Sequence, residues 1–137
     1  MLKHRGSILL DVYSLSAFDE KMEVAIYEEN LLNGFWSPRK YYGFLNTFKY
    51  DDAKVVLDKY TIVEAERTRT VYNWLQHFSP ESLWGEFERA GFAQQELYAD
   101  VAGTPFDEAA SEFAVVANKG YRSQNKTLNS TSLNAPI

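Results

Sequence analysis

Ser7-Ile8-Leu9-Leu10-Asp11-Val12-Tyr13 is the stretch on which the reading of this chain turns. Alternation places Ile8, Leu10 and Val12 on one face of an extended segment and Ser7, Leu9, Asp11 and Tyr13 on the other. Both faces are largely apolar, the pattern of a strand covered on two sides. Arg5-Gly6 leads into it, and the apolar core Ile8 to Leu10 is too short for a secretory signal.

Working outward, Phe18 to Leu32 carries Val24, Tyr27 and Leu31 at helical spacing, with Asp19, Glu20 and Glu23 near its start, so a helix is expected there. Asn33-Gly34 ends it and Ser37-Pro38 marks a turn. Residues 41–75 read as a meander of antiparallel strands. Tyr42, Phe44, Phe48 and Tyr50 alternate through the first strand. The second runs from about Lys54 to Glu66 with a break near Asp58-Lys59. The third runs from Arg67 to Leu75, with Thr68, Thr70, Tyr72 and Trp74 on one face. A helix starts after the cap Ser79 with Pro80 at its first position, buries Leu83 and Phe87, and ends at Gly91. Phe78 and Leu83 form a hydrophobic staple across its start. Two strands follow, Ala93–Val101 and Glu112–Asn118, joined by a loop. Residues 120–137 form a polar tail expected to be mobile.

Composition bounds the chemistry. The 137 residues carry a formal net charge of −5, with 45% hydrophobic and 15% aromatic residues. One domain of ordinary globular balance is expected. The acidic excess argues against a nucleic-acid surface, and no apolar run approaches the ~20 residues of a membrane span. With no cysteine and two distant histidines, thiolate metal sites are excluded and a histidine-rich one is not expected. A cytoplasmic protein is the expectation.

The order of elements resembles the C-terminal half of a class I S-adenosylmethionine-dependent methyltransferase. Arg5-Gly6-Ser7-Ile8-Leu9-Leu10-Asp11 is similar to that family's fifth strand, with Arg5 in place of its first glycine. Ser79-Pro80-Glu81-Ser82-Leu83 through Ala90-Gly91-Phe92 is similar to the helix before its sixth strand, and Phe113–Ala117 to its seventh. The resemblance covers residues 5–119. It implies an α+β fold, mainly an antiparallel sheet with two or three helices, corresponding to the closing portion of a Rossmann-like enzyme. The seven glycines are scattered (6, 34, 43, 85, 91, 103, 120) and form no nucleotide-type loop. S-adenosylmethionine is therefore expected to bind only when a cofactor-binding half is supplied.

In that family the neighbouring fourth strand would come from upstream, so Ser7–Tyr13 is expected to lie at an exposed edge. Burial of Ile8, Leu10 and Val12 is worth roughly 5–9 kcal/mol, against about 5–15 kcal/mol for a whole domain. A second copy or an N-terminal partner half is therefore expected to pair along this strand.

The resemblance also implies an acceptor pocket beneath the insert that follows the fifth strand. Trp36, Tyr41, Tyr42, Tyr72 and Trp74 are the candidate lining, with the meander's own core as the competing reading for these rings. His77, just before the helix cap, has a side chain suited to general-base work, although a solvated junction histidine is the plainer reading. Asp11 stands near a strand's C-terminal end, where α/β sites gather. Arg67 and Arg69 share a face and suit an anion clamp or a pair with Glu64 or Glu66. Methyl transfer chiefly asks for alignment of acceptor and methyl group. The functional expectation is the acceptor side of a small-molecule methyltransferase, inactive alone. The alternative is a non-enzymatic α+β module for ligand binding or dimerisation.

Overall fold

The computed structural model describes residues 6–119, apart from the Gln94 side chain; the expected tail at 120–137 lies outside the described residues. The elements are β1 (Ser7–Ser14), α1 (Leu15–Glu20), β2 (Ala25–Glu29), α2 (Leu31–Gly34), β3 (Tyr42–Tyr50), β4 (Val55–Val63), β5 (Thr68–Phe78), α3 (Pro80–Arg89), β6 (Phe92–Tyr98) and β7 (Glu112–Lys119). Seven strands form one mixed sheet in the order β2-β3-β4-β5-β1-β7-β6. The α+β class and the antiparallel meander expected over residues 41–75 are both present.

β1 lies inside the strand order but is paired along its whole length on one side only. β7 pairs with it antiparallel from Ser7↔Asn118 to Tyr13↔Glu112. On its other side β5 runs parallel to it, but meets it only at Tyr13↔His77 and Ser14↔Phe78. The apolar alternation that demanded neighbours is thus met by residues more than a hundred positions downstream, a non-local pairing that local periodicity does not reveal. Ser7 through Val12 keep an open side where β5 has not yet arrived.

The helix expected over Phe18–Leu32 forms only at Leu15–Glu20, capped by the Ser14 hydroxyl, which accepts from the Ala17 N–H. Residues 25–29 instead form β2, paired with β3 from Ala25↔Asn46 to Glu29↔Tyr42. The run Val24-Ala-Ile-Tyr27 suits a pleated surface, and β3 offers it a five-residue ladder that an isolated helix cannot match. Asn30, Leu32, Asn33 and Gly34 all have positive φ, so a left-handed turn stands where the helix would have continued. The break expected at Asp58-Lys59 is absent: β4 is continuous, and Asp58 is buried beneath the Thr47 hydroxyl and Lys21. β6 ends at Tyr98, three residues short of the expected Val101.

Two cores lie on opposite faces of the sheet. On one, Leu83 and Phe87 of α3 pack on Phe113, Val115 and Ala117 of β7, with Ile8, Leu10, Val12 and Phe78 around them. Its helix begins as read: Ser79 accepts from the Ser82 N–H, and the Ser82 hydroxyl accepts from the Ser79 N–H. Gly91 closes it with φ +85°. On the other face Leu31, Tyr41 and Ile62 are buried with Trp36, Leu45, Tyr60 and Val71. The strand register explains the split. Val12 and Phe78 share one side, Tyr13 and His77 the other.

Candidate functional site

A cleft of about 520 Å³ opens where β1, β5 and β6 run out and β7 begins. That volume lies in the range that holds small molecules. Its apolar lining comes from Leu15, Phe78, Pro80, Leu97, Phe106 and Phe113. Phe113 is fully buried, and the Phe106 ring meets it edge-on at 6.0 Å. The exposed carboxylates Asp19, Glu81, Asp107 and Glu108 stand around the apolar part, and no Lys, Arg or His joins the lining.

The walls are tied together by local hydrogen bonds. Ser14 ends β1, caps α1 and donates its hydroxyl to the Ala110 carbonyl at 2.6 Å, while its N–H donates to the Ser111 carbonyl at 3.0 Å. Ser16 reaches the Ala109 carbonyl at 3.3 Å. The loop 99–111 is shaped by Asp100, whose carboxylate accepts from the Thr104 hydroxyl and N–H and from the Ala102 N–H. The Thr104 contacts, the hydroxyl foremost, hold the Asp100 carboxyl below its ordinary range. The opposite wall is the start of α3, where Ser79, Pro80 and Glu81 follow β5. The cleft can thus hold a small molecule with an apolar body and, by its charge, favours one that is neutral or cationic over an anion.

None of the seven residues singled out from the sequence lines this cleft. Trp36 and Tyr41 come together in the second core: Tyr41 is fully buried with its hydroxyl donating to the Leu31 carbonyl, and the Trp36 ring lies 4.9 Å from Tyr60. Tyr42, Tyr72 and Trp74 project from the opposite face of the meander and are exposed. His77 is not solvated, contrary to the plainer reading of a junction histidine. It is buried between the rings of Tyr13 and Phe18, at 5.5 and 5.4 Å, with Nδ1 3.2 Å from the Leu75 carbonyl. Burial foremost, helped by Lys21 and Lys49, pushes its pKa down and keeps the ring neutral. Asp11 sits exposed on the side of β1 away from α3, opposite Ala114. Arg67 and Arg69 converge with Arg39 on the buried Glu64, which also accepts from Ser37 at 2.7 Å. Glu66 pairs with Arg39 at 3.5 Å. This cluster fastens the residue 36–39 segment to the meander. The cleft residues Phe106, Asp107 and Glu108 escaped notice because 102–111 reads as a plain connection; the signal present was the Ser79-Pro80 cap directly after a strand.

A nucleotide-type cofactor needs a strand that turns through glycines into a helix. Among the described residues β1 enters α1 through Ser14 and β5 enters α3 through Ser79, and the glycines with positive φ, Gly34, Gly91 and Gly103, sit in three separate turns. Among the described residues no strand turns through glycines into a helix in that way.

No protein-family model and no curated protein matches the chain. Solved structures do. The CcbJ methyltransferase from Streptomyces caelestis superposes with a TM-score of 0.55 at 14% identity, over 84% of this chain and 47% of that one. An S-adenosylmethionine-dependent methyltransferase from Clostridium acetobutylicum ATCC 824 gives a TM-score of 0.63 at 9% identity, over 88% of this chain and 47% of that one. The fold is like that of part of each of these two proteins. At such identities the likeness is one of shape, and the chain spans about half the length of either protein. Among the described residues no helix is long and apolar enough to cross a membrane, and no cluster of three or more His, Asp or Glu could hold a metal.

Proposed function

We propose that these residues form the acceptor-side portion of a small-molecule S-adenosylmethionine-dependent methyltransferase, corresponding to the closing, C-terminal part of its Rossmann-like sheet. The observation that carries the reading is the run β1-β7-β6, with β7 antiparallel in an arrangement that otherwise has β1 parallel to its other neighbour. The open side of β1 from Ser7 to Val12 suits a further parallel strand, and a cofactor-binding portion would supply it. The similarity of fold to two such methyltransferases supports the reading.

In this role the chain contributes alignment and exclusion of water rather than acid–base chemistry. Phe78, Leu97, Phe106 and Phe113 would grip the apolar body of an acceptor, and the loop 99–111, tied down through Ser14 and Ser16, would fix its orientation. His77 takes no part, since its neutral ring is buried outside the cleft lining. The cofactor would be held by the other portion.

Calorimetry tests this. The 137-residue chain alone is expected to show no heat with S-adenosylmethionine. The protein read from the surrounding coding region, or the chain mixed with a separately encoded cofactor-binding half, is expected to bind it. Tight binding to the chain alone, or no binding by either the longer protein or the mixture, overturns the reading.

A further inference from the structure

Strands β2 to β5 present a face that nothing among the described residues packs across. The register puts Tyr27 of β2, Phe44, Phe48 and Tyr50 of β3, and Tyr72 and Trp74 of β5 on the same side. Each of these six rings is between 38% and 60% exposed. They form ladders across the strands, Tyr27 to Phe44 at 4.9 Å and Tyr50 to Trp74 at 5.7 Å, with Leu57 buried between Phe48 and Trp74. The charged side chains on this face are Lys59, near its middle, and Glu29 at its margin, the latter paired with Lys40 at 3.0 Å. An exposed apolar patch of this extent marks an interaction surface.

We propose that this face is the interface of a homodimer, in which two copies of the meander pack aromatic face against aromatic face about a two-fold axis. Size supports it. Four strands of five to eleven residues, at about 4.8 Å spacing and about 3.3 Å per residue, give a footprint of about 540 Å². Two copies then cover about 1,100 Å² before side-chain relief is counted, which meets the threshold of about 1,000 Å² for a specific interface. Shape supports it as well. Two identical right-twisted sheets pack with their strands about 30° apart and their side chains interdigitated.

Charge decides against other occupants. A lipid surface would need a basic cluster where this face has Lys59 and, at its margin, Lys40 neutralised by Glu29, and the chain's net charge of −5 opposes both anionic lipid and nucleic acid. The face also carries no charge pattern for an unrelated partner to read, whereas a second copy presents the same sparsely charged aromatic surface. This surface is distinct from the open side of β1, so the dimer and the proposed function stand or fall separately.

Sedimentation equilibrium on the 137-residue chain, from about 1 to 100 µM, tests the proposal. A monomer–dimer equilibrium is expected, with Trp74 fluorescence moving to shorter wavelength as the dimer forms. Trp74→Lys and Tyr72→Glu each replace a ring already more than half exposed, so folding is retained, with far-UV circular dichroism as the check. Each is expected to weaken association at least about 30-fold, the size of an interface hot spot. Leu9→Lys, on the uncovered side of β1, is expected to leave it unchanged. A monomer at every concentration overturns the proposal. So does a dimer that is indifferent to both Trp74→Lys and Tyr72→Glu, or one abolished by Leu9→Lys.

Discussion

Gly43→Ala is expected to cost about 3 kcal/mol, and the reason lies in the turn that replaces the expected helix. Gly43 is buried in β3, directly beneath Leu31, which is 3% exposed. A methyl group at position 43 would stand 2.9 Å from Leu31 Cδ2 and 3.2 Å from its Cγ, with Leu31 Cβ closer still. Rotation can move the first two atoms away but not the third, so the backbone of one segment has to shift. The turn resists that shift, because the Asn30 N–H donates to the Tyr41 carbonyl at 2.9 Å and Asn30 Oδ1 accepts from the Tyr41 N–H at 3.2 Å. Overpacking costs about 1–3 kcal/mol, and a clash that no rotamer relieves belongs at the top of that range. With a urea slope of about 1.5 kcal/mol/M, the midpoint falls by about 2 M. Leu31→Ala alone should cost about 2–5 kcal/mol. The double variant should recover little of the Gly43→Ala loss, since alanine keeps the offending Cβ. A Gly43→Ala midpoint within about 0.5 kcal/mol of the parent would refute the reasoning. Leu31 would then not lie over β3, and residues 25–34 would not form the strand and left-handed turn.

Ser79→Ala removes the hydroxyl that caps α3 and should lower stability by about 1 kcal/mol in urea unfolding, with Ser79→Asp restoring most of it. His77 has a folded pKa below its ordinary value of 6.5 because its ring is buried, so the unfolded chain takes up the proton first. Stability is therefore complete above about pH 6.5 and declines as pH falls from there toward the folded value. His77→Leu should flatten that part of a urea-midpoint profile. Glu64 has its pKa lowered by hydrogen bonds from Arg67 and Ser37, in that order, from an ordinary value of 4.5. Its contribution is present above that value and is lost as pH falls through the folded one. Glu64→Gln should lower the midpoint at neutral pH and leave a shallower acid limb.

What could be read from residues alone was whatever depended on near neighbours. The start and end of α3 rest on Ser79, Pro80 and Gly91, each acting within one turn, and all three stand as read. The meander was legible because its strands follow one another and their rings alternate. The failures have a common cause. Val24, Tyr27 and Leu31 recur at intervals of three and four, which a helix requires, but a strand followed by a left-handed turn tolerates the same spacing. What decides between them is the ladder offered by β3, and that lies outside any local window. The partner of β1 likewise comes from residues 112–118, across most of the chain. The site was obscured for the same reason: aromatic residues drew attention to Tyr42, Tyr72 and Trp74, which stand exposed along the meander and do not line the cleft. Phe78, Phe106 and Phe113 converge only once β5, β7 and the loop 99–111 have been brought together.

The position of the cleft follows from the thinness of one joint. The meander and the β1-β7-β6 unit share a single sheet through two parallel rungs, Tyr13↔His77 and Ser14↔Phe78. A parallel strand cannot be reached by a tight hairpin, so β5 has to arrive beside β1 from a distance and must then leave again through α3. Both chains therefore exit the sheet at the same end, each through a serine that caps the next helix: Ser14 into α1, Ser79 into α3. Two helix starts diverging to opposite faces of the sheet leave a gap between them. The loop 99–111 closes that gap on its third side, hydrogen-bonded to Ser14 and Ser16. The depth of the cleft is thus set by the crossover connection itself, and its apolar floor by Phe78 and Phe113, the residues on the α3 side of the strands at that end. Lengthening the parallel pairing between β1 and β5 would bring the meander alongside Ser7–Val12 and occupy the open side of β1. The two-rung joint leaves that side clear while still placing the meander against the cleft.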